Sequence, residues 1–193
     1  MSTTHSSLST YRATETESLS DELYRELSDL YLDGLYLQAF EKTKSPVETW
    51  TGKKSRVLGA RLANNLGSPR VGRTLIRLAE RIYPHEPEVI YFHAHSMLSR
   101  RGIYESLKRI QKQGDLPNAT EVVQADWFAL RALLYSIFRD FENADYWMDR
   151  ALEMQGDRPW IHVQHSLVLD MQDRPKESFA AARKRFSFGH RIA

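Results

Sequence analysis

Small residues return along this chain at nearly constant intervals. Ala39, Gly72, Ser106, Ala144 and Ser178 are separated by 33, 34, 38 and 34 positions, by subtraction of their numbers. A period of about 34 is the signature of a two-helix unit repeated in tandem. Such a unit has more apolar face than it can bury alone, so each copy is completed by the next one stacked on it. Small residues at the contact let helix axes approach to about 8–10 Å. A non-repeat bundle of antiparallel helices would show short turns and small contacts, but without this register.

The clearest copy runs from Ala125 to Arg158. It reads as two helices with a tight corner at Arg139-Asp140, with Ala132, Ala144 and Ala151 where the helices touch. Phe128, Tyr135, Phe141 and Met148 fall between them at helical spacing. Lys53 to Glu86 is a second good copy, carrying Ala60, Gly67, Gly72, Ile76, Ala79 and Pro84 at the small, turn, small, large, small and terminating positions. The other three are looser. Ser20 to Gly52 has Leu23, Leu27, Asp33-Gly34 and Ala39, and Pro46 cuts its second helix short. Residues 87–120 carry Ala94, Gly102 and Ser106, then extra residues through Gly114-Asp115-Leu116-Pro117. Residues 159–186 carry Ser166, Pro175, Ser178 and Ala182, with Arg185 where a small residue is expected. Pro69, Pro87, Pro159 and Pro175 stand where a first helical turn tolerates proline. Gly67 and Gly34 offer the left-handed position that ends a helix. Asp126 and Asp157 are read as lying just ahead of helices, where a carboxylate satisfies free N–H groups.

These registers resemble tetratricopeptide-repeat (TPR) proteins over most of residues 20–186, the alternative being a non-repeat bundle of antiparallel helices. The resemblance implies an all-α solenoid of about five helix pairs, wound as a right-handed superhelix. The expected boundaries are a flexible Ser/Thr-rich tail at 1–19, the repeat domain at 20–186 and a C-terminal tail at 187–193. LYLDGLYLQAFE, WTGKKSRVLGARLANNLG and LLYSIFRDFENADYWMDRALEM are also similar to the helical-repeat segment preceding C39-type peptidase domains in some bacterial proteins. That second resemblance implies an accessory, substrate-holding part.

Composition narrows the chemistry. There is no cysteine, so no disulfide, cysteine nucleophile or cysteine-ligated metal exists within the chain; this fits a reducing, cytoplasmic setting. No run approaches the roughly 18–20 apolar residues of a membrane helix. The net charge of +2 argues for neither nucleic acid nor anionic lipid. No phosphate-binding, dinucleotide-binding, zinc-protease or hydrolase motif occurs, and no enzyme activity, cofactor or metal is expected. His93 and His95 are two apart, which sets them about 200° apart on a helix. His162 and His165 share a face but lack a third ligand. Asp140 with Glu142, and Asp21 with Glu22, read as helix-start acids. Trp127 and Trp147 sit at packing phases, while Trp50 and Trp160 are unplaced.

The function expected is that of a protein-interaction scaffold. In TPR-like arrays the first helices line the concave side, and the resemblance projects Tyr24, Ser28, Tyr31, Arg61, Asn64, Asn65, Tyr91, His95, Leu98, Ala129, Leu133 and Ser136 toward it. The polar-aromatic set Arg61, Asn64, Asn65, Tyr91 and His95 is the candidate partner-binding site for a protein or peptide. Amides bond a peptide backbone, Arg takes a carboxylate and Tyr covers apolar groups. The Lys/Asn clamp of chaperone-tail-binding relatives is not matched, since Val57 and Arg61 hold those phases. Arg183, Lys184, Arg185 and Arg191, with Phe186 and Phe188, give the alternative of a nucleic-acid contact, against a basic run that ends a helix. The last repeat runs straight into Phe186-Ser187-Phe188-Gly189, which points to self-association through an uncapped end or to a missing partner domain.

Overall fold

Proline opens four helices at the predicted places: Pro69, Pro87, Pro159 and Pro175 are each the first residue of one. A proline there presets φ and loses no hydrogen bond, because the first N–H groups of a helix have no intrahelical acceptor. The computed structural model describes residues 15–43, 45–98 and 102–187, and side chains only to 184. Among these residues there are ten α-helices, one 3-10 turn and no strand, arranged as five successive helix pairs. The all-α, TPR-like helix-pair fold is therefore as expected. The chain divides into two compact units, residues 1–84 and 85–193, where the periodicity had implied one continuous domain.

In the first unit, α1 (Asp21–Leu32) pairs with the short α2 (Tyr36–Glu41), and α3 (Lys53–Asn65) pairs with α4 (Pro69–Ile82). Pro46 cuts the second helix short as predicted, and a 3-10 turn at Val47–Thr49 follows. α3 packs on α1, α2 and α4. Its core holds Leu27, Ala39, Val47, Trp50, Leu58 and Leu62. Trp50, unplaced by sequence, is 1% exposed and donates to Ser45 Oγ at 3.2 Å. Gly72 is required by proximity: a Cβ there would lie 2.8 Å from the Ala60 carbonyl and closer still to Asn64 Oδ1.

The start of α3 differs from expectation. Gly52, its N-cap, has no side chain to offer, and the first turn carries Lys53 and Lys54 with no acid. Residues 15–19 supply the missing acceptors. Glu17 accepts from Lys54 N at 2.8 Å, Ser55 N at 2.9 Å and Ser55 Oγ at 2.7 Å. Glu15 bridges Gly52 N at 3.3 Å and the buried Arg56 guanidinium at 2.8 Å. Ser18 N donates to Thr51 O at 3.1 Å, and Leu19 is buried. Glu15 to Leu19, ahead of the expected boundary at Ser20, are thus packed against the repeat region, because orphan N–H groups at a helix start need acceptors. Residues 1–14 of the expected tail lie outside the described residues.

In the second unit, α5 (Pro87–Met97) pairs with α6 (Ile103–Gln113), α7 (Glu121–Ile137) with α8 (Phe141–Gln155), and α9 (Pro159–Met171) with α10 (Pro175–Ser187). α5 packs on α7, and α7 on α9, so first helices of successive pairs lie side by side. That is the stacking a tandem repeat needs. Ala132 on α7 and Ala144 and Ala151 on α8 are fully buried, in one cluster with Phe128, Met148 and Ile161. The corner at Arg139-Asp140 is as tight as predicted. It is made by Arg139 in the left-handed region (φ 63°) and by Asp140 capping Asn143 N at 3.3 Å. Arg139 also reaches Met171 O at 3.2 Å and Asp173 at 3.1 Å, which joins the α7–α8 corner to the α9–α10 corner.

Two expected caps are corrected. Asp126 lies inside α7, which starts at Glu121 and is capped by Thr120. Asp157 does not cap α9, whose N-cap is Arg158 without a side-chain hydrogen bond. Phe188, Gly189 and Arg191 lie outside the described residues, as do the side chains of Arg185 and Phe186.

Candidate partner-binding surfaces

α1 and α3 are the first helices of the two pairs in the first unit, and they lie side by side. Residues seven apart on each helix face the same way, and the two heptad-spaced pairs meet. The Lys54 ammonium stands 5.7 Å from the Tyr24 ring centroid, and the Arg61 guanidinium 4.2 Å from that of Tyr31. Asn65 Nδ2 donates to Tyr31 Oη at 2.9 Å and to the Arg61 carbonyl at 3.0 Å. Tyr36 packs on Tyr31 with ring centroids 5.1 Å apart. Tyr24, Tyr31 and Arg61 are half-buried, and Lys54 and Asn65 are exposed. The face therefore presents a cation held over an aromatic ring and an amide oriented by two hydrogen bonds. These groups are pre-ordered, so a partner meeting them loses less side-chain freedom.

Only part of the candidate set shares this face. Arg61 and Asn65 are on it. Asn64 turns toward α4, where its Oδ1 fills the space that a side chain at Gly72 would need. Tyr91 and His95 belong to the second unit. Tyr91 is 4% exposed and packs edge-on against Phe92 at 4.8 Å, so it is a core residue of α5 and not a contact surface. His95 lies 6.0 Å from Tyr91, ring to ring, and burial pushes its pKa below the ordinary value. Of the further projected positions, Ala129 and Ser136 are fully buried. The phase argument selects the side of a helix; packing by the next first helix then covers most of that side in the second unit.

The tryptophans and charged residues of the second unit build structure. Trp127 is fully buried and donates to Gly114 O at 3.0 Å. The Trp147 ring has the guanidinium groups of Arg131 at 4.2 Å and Arg150 at 5.3 Å from its centroid. Asp126 takes Arg158 in a two-armed contact of 2.9 and 3.4 Å. His162 is 4% exposed and bonded to Gly156 O at 2.8 Å. No group of three metal-ligating side chains occurs among the described residues. Trp160, at 39% exposure, is the one tryptophan left on the surface. A hollow of about 630 Å³ opens beside α2 and the α3–α4 turn, lined by Leu37, Phe40, Pro46, Val47, Leu66 and Val71.

No protein-family model matches the chain, and no curated protein matches it. Among solved structures it is similar to MamA MSR-1, at a TM-score of 0.48 and 10% identity, over 90% of this chain and 95% of that one. It is also similar to MamA AMB-1, at 0.47 and 12%, over 86% and 96%. Likeness of this degree transfers neither partner nor activity. No helix among the described residues is long and apolar enough to cross a membrane.

Proposed function

We propose that the chain is a non-enzymatic protein-interaction module that holds a peptide segment of another protein on the α1–α3 face. The observation that carries this reading is the pre-ordered group of Arg61 held over Tyr31 with Asn65 hydrogen-bonded to the same phenol. Guanidinium groups recognise carboxylates through their N–H edges and aromatic rings through their planes. The amide serves a peptide backbone, and the rings of Tyr24 and Tyr36 cover apolar side chains beside it. The peptide read from sequence as spanning Arg61 to His95 is thus given a shorter footprint.

The test is affinity capture with the full chain against Arg61→Ala/Asn65→Ala and, as a control, Trp160→Ala. Partners lost from the first variant and retained by the control support the face. Retention of every partner by the first variant, with helical content unchanged by circular dichroism, rejects it.

A further inference from the structure

Two helices of the first unit carry charge ladders of opposite sign. On α4, Arg70, Arg73, Arg77 and Arg81 follow at offsets of 0, 3, 7 and 11 residues; on α1 and its cap, Glu22, Glu26, Asp29 and Asp33 follow at 0, 4, 7 and 11. At 100° per residue each set lies within an arc of about 80°, so each is a single stripe about 16 Å long. Arg70, Arg77 and Arg81 are exposed and Arg73 is half-buried, and all four acids are exposed. None of the four guanidinium groups has an ion-pair partner among the described residues, and of the acids only Glu26 is paired, with Lys42. α3 packs between the two helices, contacting both. One flank of the unit is therefore acidic and another basic, in a chain whose net charge is only +2.

Arg81 in the last turn of α4 and Glu22 in the first turn of α1 suit their own helix dipoles, but the other end of each ladder does not. Cations are unfavourable near a helix N-terminus and anions near a C-terminus. Yet the start of α4 carries Arg70 and Arg73 with no acid in its first turn. The end of α1 carries Asp29 and Asp33 with no base in its last turn. Charges set against their own helix dipoles are favoured once a partner of the opposite sign covers them. The ladders supply that partner themselves. Read in the same or the opposite direction, their offsets agree to within one residue, which is about 1.5 Å of helix rise.

We propose that the α4 arginine ladder docks on the α1 acidic ladder of a second copy of this chain. The contact is heterologous: it uses different surfaces on the two copies and leaves a free ladder of each sign at the ends, so association is head-to-tail. It is distinct from the peptide-binding face and does not depend on it.

Sedimentation velocity of the full chain at rising concentration tests this. Association is expected at low salt and is lost as salt screens the exposed charges. Arg70→Glu/Arg77→Glu/Arg81→Glu should weaken it by about tenfold or more. Glu22→Arg/Asp29→Arg/Asp33→Arg should do the same. An equimolar mixture of these two variants restores complementary ladders at every junction and should associate again. Recovery in the mixture also shows that both variants are folded. The proposal is overturned if the natural chain stays monomeric at low salt, including the case in which its arginines instead take up an acidic peptide. It is equally overturned if the charge-reversed variants associate like the natural chain, or if the mixture stays monomeric while both variants keep their helical signal.

Discussion

Asp126 stands one position after the small residue that opens the best-formed copy, where a carboxylate reads as a cap. α7 begins five residues earlier, so Asp126 is drawn into the helix and against Arg158, thirty-two positions away. A buried carboxylate needs a charged partner to offset its desolvation, and only folding brings that partner. The histidines changed meaning in the same way. His95 is held below its ordinary pKa of 6.5 by burial. His165 is lowered by burial first and then by His162, Lys184 and Arg174, with Asp149 opposing. Both are therefore neutral in the fold down to a lower pH than in the unfolded chain. Between the two pKa values the unfolded state binds more protons, so stability is complete above about pH 6.5 and falls as pH drops below it. The denaturant midpoint should be lower at about pH 5.5 than at about pH 7.5, and His95→Gln/His165→Gln should narrow that difference. An unchanged difference would remove these two groups as its source.

At the scale of elements, prolines, glycines and the small-residue rhythm were readable because they act on their own backbone or on the nearest helix. Pro175 opens α10, and Gly34 and Gly67 hold φ of 77° and 81° at helix ends. The start of α3 was unreadable for the opposite reason. Its acceptors come from Glu15 and Glu17, thirty-seven and thirty-eight positions before the N–H groups they meet. The signal in the sequence was weak but present: a glycine followed by two lysines, with no acid to cap them. Glu17→Ala leaves the N–H groups of Lys54 and Ser55 without their acceptor and should cost about 1 kcal/mol. Hydrogen exchange at those two amides should speed up ahead of the rest of α3. Equal protection in the variant would show that residues 15–19 do not cap the helix.

For the molecule as a whole, five weak registers agreed on an all-α repeat, and the helix pairs follow them. The division at Pro84 was not visible, because the spacing from Gly72 to Ser106 is as regular as any other. What separates the units is that their buried clusters share no residue: one runs from Leu19 to Ala63, the other from Ile90 to Val168. Trp50→Ala should therefore destabilise the first unit by about 3–5 kcal/mol while the near-ultraviolet and exchange signals of residues 85–187 melt unchanged. A single transition lowered for every residue would show that the two cores unfold as one.

The order of the helices, the ends set by proline and glycine and the all-α character follow from the sequence alone, because periodicity and turn chemistry are local. Which polar residues remain available does not. Arg61 and Asn65 stay on a face with Tyr31, Asn64 turns to Gly72 and Tyr91 goes into the core. Helical phase tells only which side a residue is on, whereas the helix that packs there decides whether that side still meets solvent.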